Sequence, residues 1–194
     1  MEPASKRATY EDFAGLDESV RAEVLAGTIT ALPAPLPEHG RAQRALGRYI
    51  GGPFDDHDGR GGPGGWWILL EGDVRFEPHV VVRPDLAGWR RERLSSPWGM
   101  RPIDVVPDWI CEIVSPSNVG HDRVTKANAY LKYGVTHSWI VDPLARVLEA
   151  FERSEEADGT HWKRLGGWIA GVARLAPFEA VALEVERVFP PVSA

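Results

Sequence analysis

Residues 108–143, DWICEIVSPSNVGHDRVTKANAYLKYGVTHSWIVDP, restrict the possible folds more than any other part of the chain. Trp109 to Val114 reads as a strand, HDRVTKANAYLKYG as a helix with Asp122 as its N-cap and Gly134 just past its end, and HSWIVD as a second strand. A strand, a helix and a strand in that order form a right-handed crossover, and the two strands run parallel in one sheet. The class that follows is α/β with a mixed sheet. The chain's 20 Gly and 16 Pro punctuate it into short elements and argue against a helix bundle.

Inside the first strand Glu112 interrupts the apolar run Trp109, Ile110, Cys111, Ile113, Val114. An unpaired carboxylate there would cost several kcal/mol or pick up a proton. Two readings account for it: a buried salt bridge, or a metal ligand. Asp85 follows a proline at the end of the β-run Val80 to Val82, and pairing of that run's strand with the Glu112 strand would bring two carboxylates together. Carboxylate oxygens are the ligands Mg²⁺ prefers, which favours the metal reading.

The other elements surround this unit. TYEDFAGLDES starts a short helix, with Thr9 three residues before Asp12 in a capping-box arrangement. Ala22 to Leu25 and Thr28 to Leu32, separated by Ala26-Gly27, form a hairpin. From Glu38 to about Ile50, Ala42, Ala45, Leu46, Tyr49 and Ile50 fall on one helical stripe that covers a sheet face. GGPFDDHDGRGGPGG reads as a loop whose DDHD cluster is solvated or holds a cation. Trp66 to Glu71, Val74 to Phe76 and Val80 to Val82 are strands, RRERLSSPWGMRP is a surface excursion, and RVLEAFER with HWKRLGGW makes a last hairpin before a terminal strand or short helix.

A chain of 194 residues suits one domain, 1–194 with its core at about 8–189, and a domain of this size buries roughly 70% of its unfolded surface. The lone Cys111 builds neither a disulfide framework nor a four-cysteine zinc site. MEPASKRATYEDF has no apolar core of a signal peptide and no run of 18 apolar residues occurs, so a cytoplasmic protein without a membrane span is expected. A net charge of −6 argues against a broad basic surface for nucleic acid but leaves room for a local groove. Arg41, Arg44 and Arg48 recur at helical spacing, either as a solvated face or as contacts to phosphates. No GxxxxGK[ST] loop, HExxH or GxSxG elbow is present. Among the eight tryptophans, Trp66, Trp67, Trp89 and Trp98 cluster in sequence near the expected mouth of the site, where some could stack on bases while most serve as core or dimer-interface rings.

RPDLAGW and the string from Asp108 to Pro143 resemble the Uma2 family of restriction-endonuclease-like proteins, formerly a domain of unknown function. RAEVLAGTIT and APLPEHGRAQRALGRYI fit its earlier segments, so the resemblance covers about residues 8 to 189. It implies a PD-(D/E)xK nuclease core, a restriction-endonuclease-like mixed β-sheet flanked by helices, with N-terminal and C-terminal hairpins. The implied activity is Mg²⁺-dependent hydrolysis of DNA phosphodiester bonds, with Mn²⁺ as a substitute. Asp85 and Glu112 are the implied metal ligands and Lys126 the implied catalytic lysine.

The chain departs from the superfamily at Val114, two residues beyond Glu112, where an amine is usual; the family takes its lysine from the following helix. Glu23 matches an acidic position and is a candidate outer ligand. His39, Ser115 and Tyr130 are accessory candidates, each with a structural reading beside it: a helix cap, a turn former together with Ser117, and a packed ring. Arg123 joins Arg41, Arg44 and Arg48 as a candidate nucleic-acid contact. The alternative reading is a catalytically silent nuclease fold used for binding or assembly, as a homodimer.

Overall fold

The computed structural model describes residues 7–17, 20–32, 34–55, 62–116 and 120–191. In chain order the first half comprises α1 (Tyr10–Ala14), β1 (Ala22–Leu25), β2 (Thr28–Ala31), α2 (Pro37–Leu46), a π-helical turn at Gly47–Gly51, α3 (Gly52–Asp55), β3 (Trp66–Leu70), β4 (Val74–Glu77), β5 (Val80–Val82) and β6 (Leu86–Arg90). The second half comprises β7 (Trp109–Ile113), a π-helical turn at His121–Lys126, α4 (Ala127–Tyr133), β8 (His137–Asp142), β9 (Val147–Glu156), β10 (Gly159–Trp168), β11 (Val172–Ala173), β12 (Leu183–Glu184) and a 3-10 turn at Val185–Arg187.

β7 and β8 run parallel, in register from Trp109 opposite His137 to Ile113 opposite Val141, as the crossover requires. They sit in a six-stranded sheet of order β10-β9-β8-β7-β6-β3 whose other pairings are antiparallel. All five residues of β7 are buried because both faces of this sheet are covered, which is why the strand reads as one apolar run rather than an alternation. Trp109, Cys111 and Ile113 pack with Ala42, Leu46 and Ile50 of the covering helix and with Phe178, Val185 and Phe189 of the C-terminal segment. Ile110 points the other way, among Trp89, Val135 and Tyr130.

A second sheet of order β2-β1-β5-β4 lies earlier in the chain. Its β1–β2 hairpin turns at Ala26 (φ 51°) and Gly27 (φ 83°), the two left-handed positions of a tight hairpin. Gly27 is required there twice over, since a Cβ would also come within 2.7 Å of the Arg7 side chain.

The structure corrects several expectations. Asp85 does not extend the β5 strand; it immediately precedes β6, a strand of the larger sheet that the sequence reading did not separate from the β-run before it. Pro84 separates the two, so the chain passes from one sheet to the other at Arg83-Pro84. Asp122 is no N-cap but a buried residue inside the second π-helical turn. Gly52–Asp55, expected as loop, continues the helix after the first π-helical turn, while most of the DDHD cluster, like Ser117, lies outside the described residues. Trp66, Trp67 and Trp89 are core residues, and of the four tryptophans expected near the mouth only Trp98 is exposed. No helix among the described residues is long and apolar enough to cross a membrane.

Candidate active site

Four elements bring carboxylates to one place. β1 contributes Glu23 from between Ala22 and Val24, and the backbone N–H of Arg83 donates to its Oε1 at 2.7 Å. Asp85 stands where Leu86 of β6 pairs with Cys111 of β7, so its Oδ2 accepts the N–H of Ile113 at 2.7 Å. Glu112 projects from β7 on the face opposite Cys111 and Ile113. Asp122 comes from the π-helical turn, whose wider winding places both Asp122 and Lys126 among the buried residues.

Lys126 is 2% exposed and lies at the centre. Its Nζ is 2.8 Å from Glu23 Oε1, 2.8 Å from Glu112 Oε1 and 3.9 Å from Asp122 Oδ1, and it donates to the carbonyl of Arg83 at 3.4 Å. The hydroxyl of Tyr130, one turn further along, donates to the same Glu112 Oε1. His121 Nε2 is 3.2 Å from Glu23 Oε2, and His39 Nε2 of α2 is 2.9 Å from Asp85 Oδ1. The Nδ1 of His39 is buried without a hydrogen-bond partner.

One ammonium cannot keep three buried carboxylates ionised. Burial raises the Glu23 carboxyl, but Lys126, His121 and the Arg83 amide together outweigh it and hold Glu23 below the usual range. Burial pushes Glu112 well above that range, with Asp85, Asp122 and Glu23 adding to the push and Lys126 opposing it. Asp122 is raised to about 6, mainly by burial, against the pull of Lys126. Burial would lower Lys126, yet Glu112, Glu23, Asp122 and Asp85 overcome it, so its amine is an ammonium at neutral pH. Lys126 can therefore supply positive charge and hydrogen bonds but not accept a proton.

A cavity of about 40 Å³, bordered by Arg21, His39, Arg83, Asp85, Glu112, Asp122, Lys126 and Ser115 among others, opens beside this cluster. It has room for an ion or more than one water. The donor set is a hard one, suited to Mg²⁺ rather than to thiolate-seeking metals. A separate group of ligand-type side chains, Glu156, Asp158 and His161, lies largely exposed on the β9–β10 turn, a setting in which acidic residues commonly gather without an ion.

Asp85, Glu112, Lys126, His39 and Ser115 thus border the cavity, with Glu23 and Tyr130 bonded to Lys126 and Glu112 behind it, whereas the four candidate nucleic-acid arginines do not. Arg41, Arg44 and Arg48 line a different groove of about 330 Å³ with Tyr49, Glu184 and Arg187. Arg123 forms a 2.5 Å ion pair with Glu149. Sequence reasoning missed Arg21, Arg83 and His121 and misassigned Asp122. The four-residue spacing of Asp122 and Lys126 was the available signal, since it sets two side chains on one helical face.

The architecture places the chain among nuclease-type folds. The crystal structure titled as a "putative nuclease belonging to DUF820" from Anabaena variabilis superposes with a TM-score of 0.71 over 93% of this chain and 97% of that one, at 20% sequence identity. The family model of Uma2, described as "Putative restriction endonuclease", matches residues 7–175, and the chain belongs to that family. No curated protein matches it.

Proposed function

We propose that the protein is a Mg²⁺-dependent endonuclease that hydrolyses phosphodiester bonds of DNA, with Mn²⁺ able to replace Mg²⁺. The observation that carries this reading is the meeting of Asp85 and Glu112 at a polar cavity beside a buried ammonium. Asp85 and Glu112 would hold the metal, Glu112 through Oε2 because Lys126 and Tyr130 occupy Oε1. When bound, the metal supplies charge stabilisation at the phosphoryl oxygens and lowers the pKa of a water.

The chain's own groups do the rest. Lys126 directs its positive charge to the phosphate and the attacking water, and Glu23 and Tyr130 hold it and Glu112 in place. His39 and the Ile113 amide fix the two oxygens of Asp85. Ser115 borders the site, and the groove of Arg41, Arg44 and Arg48 offers a path for a phosphate backbone. A cytoplasmic setting and a homodimer belong to the same reading.

The test is a calorimetric titration of Mg²⁺ and Mn²⁺ into wild type, Glu112→Gln and Asp85→Asn, with the same samples incubated with plasmid and single-stranded DNA. Metal binding and cleavage present in wild type and lost in both variants support the proposal. A wild type that binds no metal, with variants folded equally well, overturns it and favours a silent binding module. What that second reading would rest on is Lys126 itself, whose ammonium already pairs with Glu23 and Glu112 at 2.8 Å.

A further inference from the structure

Beyond Arg83 the acidic cavity is continued by a second one of about 460 Å³, which shares that arginine as a wall and is bordered by Glu71, Asp73, Pro97, Trp98, Met100 and Arg101 among others. Its volume falls within the ~300–1,000 Å³ range of small-ligand sites. Trp98 is 69% exposed, an unusual position for the largest side chain, and Met100 beside it is exposed as well. The loop that presents Trp98 is held firmly. Trp67 Nε1 donates to the carbonyl of Leu94 at 2.8 Å, Ile103 N–H to that of Asp73 at 2.8 Å, and Arg93 pairs with Asp108 at 2.7 Å. The Trp98 ring itself meets Trp67 edge-on at 5.6 Å. Among the charged groups, Asp73 is paired with Arg83 at 2.7 Å and with Arg101 at 3.1 Å, and Glu71 with Arg21 at 3.0 Å. Two arginines, Arg83 and Arg101, and two carboxylates, Glu71 and Asp73, border the cavity, so this wall is balanced in charge on a chain whose net charge is −6.

We propose that this cavity seats one unpaired nucleobase of the substrate strand, stacked on Trp98, while Arg83 and Arg101 face the adjoining phosphate and lead the strand to the acidic cluster. The inference rests on the nuclease reading and narrows its substrate to nucleic acid with at least one unpaired or extruded base, because a base inside a duplex offers no free face. Stacking on an aromatic ring is sequence-tolerant and does not depend on net positive charge, which fits the acidic chain.

The experiment measures binding of fluorescein-labelled oligothymidylate, of a duplex of equal length and of an abasic strand with the same number of phosphates, by anisotropy in chelator. Wild type, Trp98→Ala and Trp98→Phe are compared, and cleavage of the same strands is followed with Mg²⁺. The expected result is single-strand binding weakened roughly tenfold by Trp98→Ala and largely retained by Trp98→Phe, with abasic-strand binding indifferent to both. Binding unchanged by Trp98→Ala overturns the inference, even where wild type cleaves and the nuclease reading stands. Failure of wild type to bind any strand overturns it too. Base-dependent binding lost in Trp98→Ala without cleavage by wild type upholds the seat and sinks the nuclease reading.

Discussion

At the scale of the residue, the site is organised around a charge imbalance centred on Lys126. Replacing it by Met would leave Glu23 buried and without its cation. Breaking a buried ion pair on one side costs about 3–5 kcal/mol, so urea unfolding of Lys126→Met should show a correspondingly lower midpoint; an unchanged midpoint would mean that the pairs at 2.8 Å contribute little. Asp122 makes the opposite case. Its carboxyl is raised from 3.8 to about 6, chiefly by burial. A group raised in the folded state contributes fully below its unfolded value, and that contribution is lost as pH rises through the folded one, so above pH 6 the metal-free protein carries a cost of up to about 3 kcal/mol. Asp122→Asn should therefore gain stability relative to wild type between pH 4 and pH 7, and a gap that stays constant over that range would contradict this. For Glu112 the raised carboxyl means that a cation must displace a proton. Mg²⁺ affinity should rise with pH, and heats measured in buffers of different ionisation enthalpy should reveal the released proton.

At the scale of the element, β6 matters because it positions Asp85. Gly88 in its middle has no space to spare: a Cβ would lie 3.1 Å from Ile68, 3.2 Å from Trp109 and 3.3 Å from Trp66. Overpacking of this kind costs about 1–3 kcal/mol, so Gly88→Ala should lower the melting temperature, and it should weaken metal binding if the shift reaches Asp85. The same strand shows where sequence reading ran out. Leu86–Arg90 is five residues long, follows a proline and contains a glycine, so it lacked the signature of a separate strand, and Asp85 was assigned to the β-run before it. The parallel pair β7 and β8 was legible because both are apolar and the helix between them ends at a glycine. Glu112 was legible for the same reason, as a charge out of place in an apolar run. The π-helical turn was not, since a 3.6-residue period has no term for one extra residue, and Asp122 was consequently read as a cap. Trp66, Trp67 and Trp89 fill the core, as most of the tryptophans were expected to, but the sequence could not single out Trp98 as the exposed ring, because proximity in sequence to a site says nothing about which sheet face a ring enters.

At the scale of the whole molecule, the cluster joins the two sheets. Glu23 comes from the smaller one, Asp85 and Glu112 from the larger, and Lys126 from the crossover between β7 and β8. An ion bound across Asp85 and Glu112 would thus add to global rather than local stability. At a metal concentration of 100 times Kd the gain is about 2.7 kcal/mol, which for a chain of this length corresponds to a rise in Tm of about 5–10 °C. Calorimetric scans with Mg²⁺ and with chelator should differ by that amount, and by much less in Glu112→Gln. The net charge of −6 sets a further expectation. With Arg83 and Arg101 meeting phosphates, single-strand binding should fall with salt at a logarithmic slope of about −1.4, and a slope several times steeper would bring in further cations such as the groove of Arg41, Arg44 and Arg48.

The burial of Lys126 also makes it a chemical clock. Lys132 and Lys163 are exposed, so an amine-acylating reagent would modify them within the first moments of contact, whereas the Lys126 amine can react only when β1, β7 and the π-helical turn part from one another. The rate at which mass spectrometry finds Lys126 acylated would then report how often the cluster of carboxylates around it opens in the native protein, without a mutation or a probe attached to it.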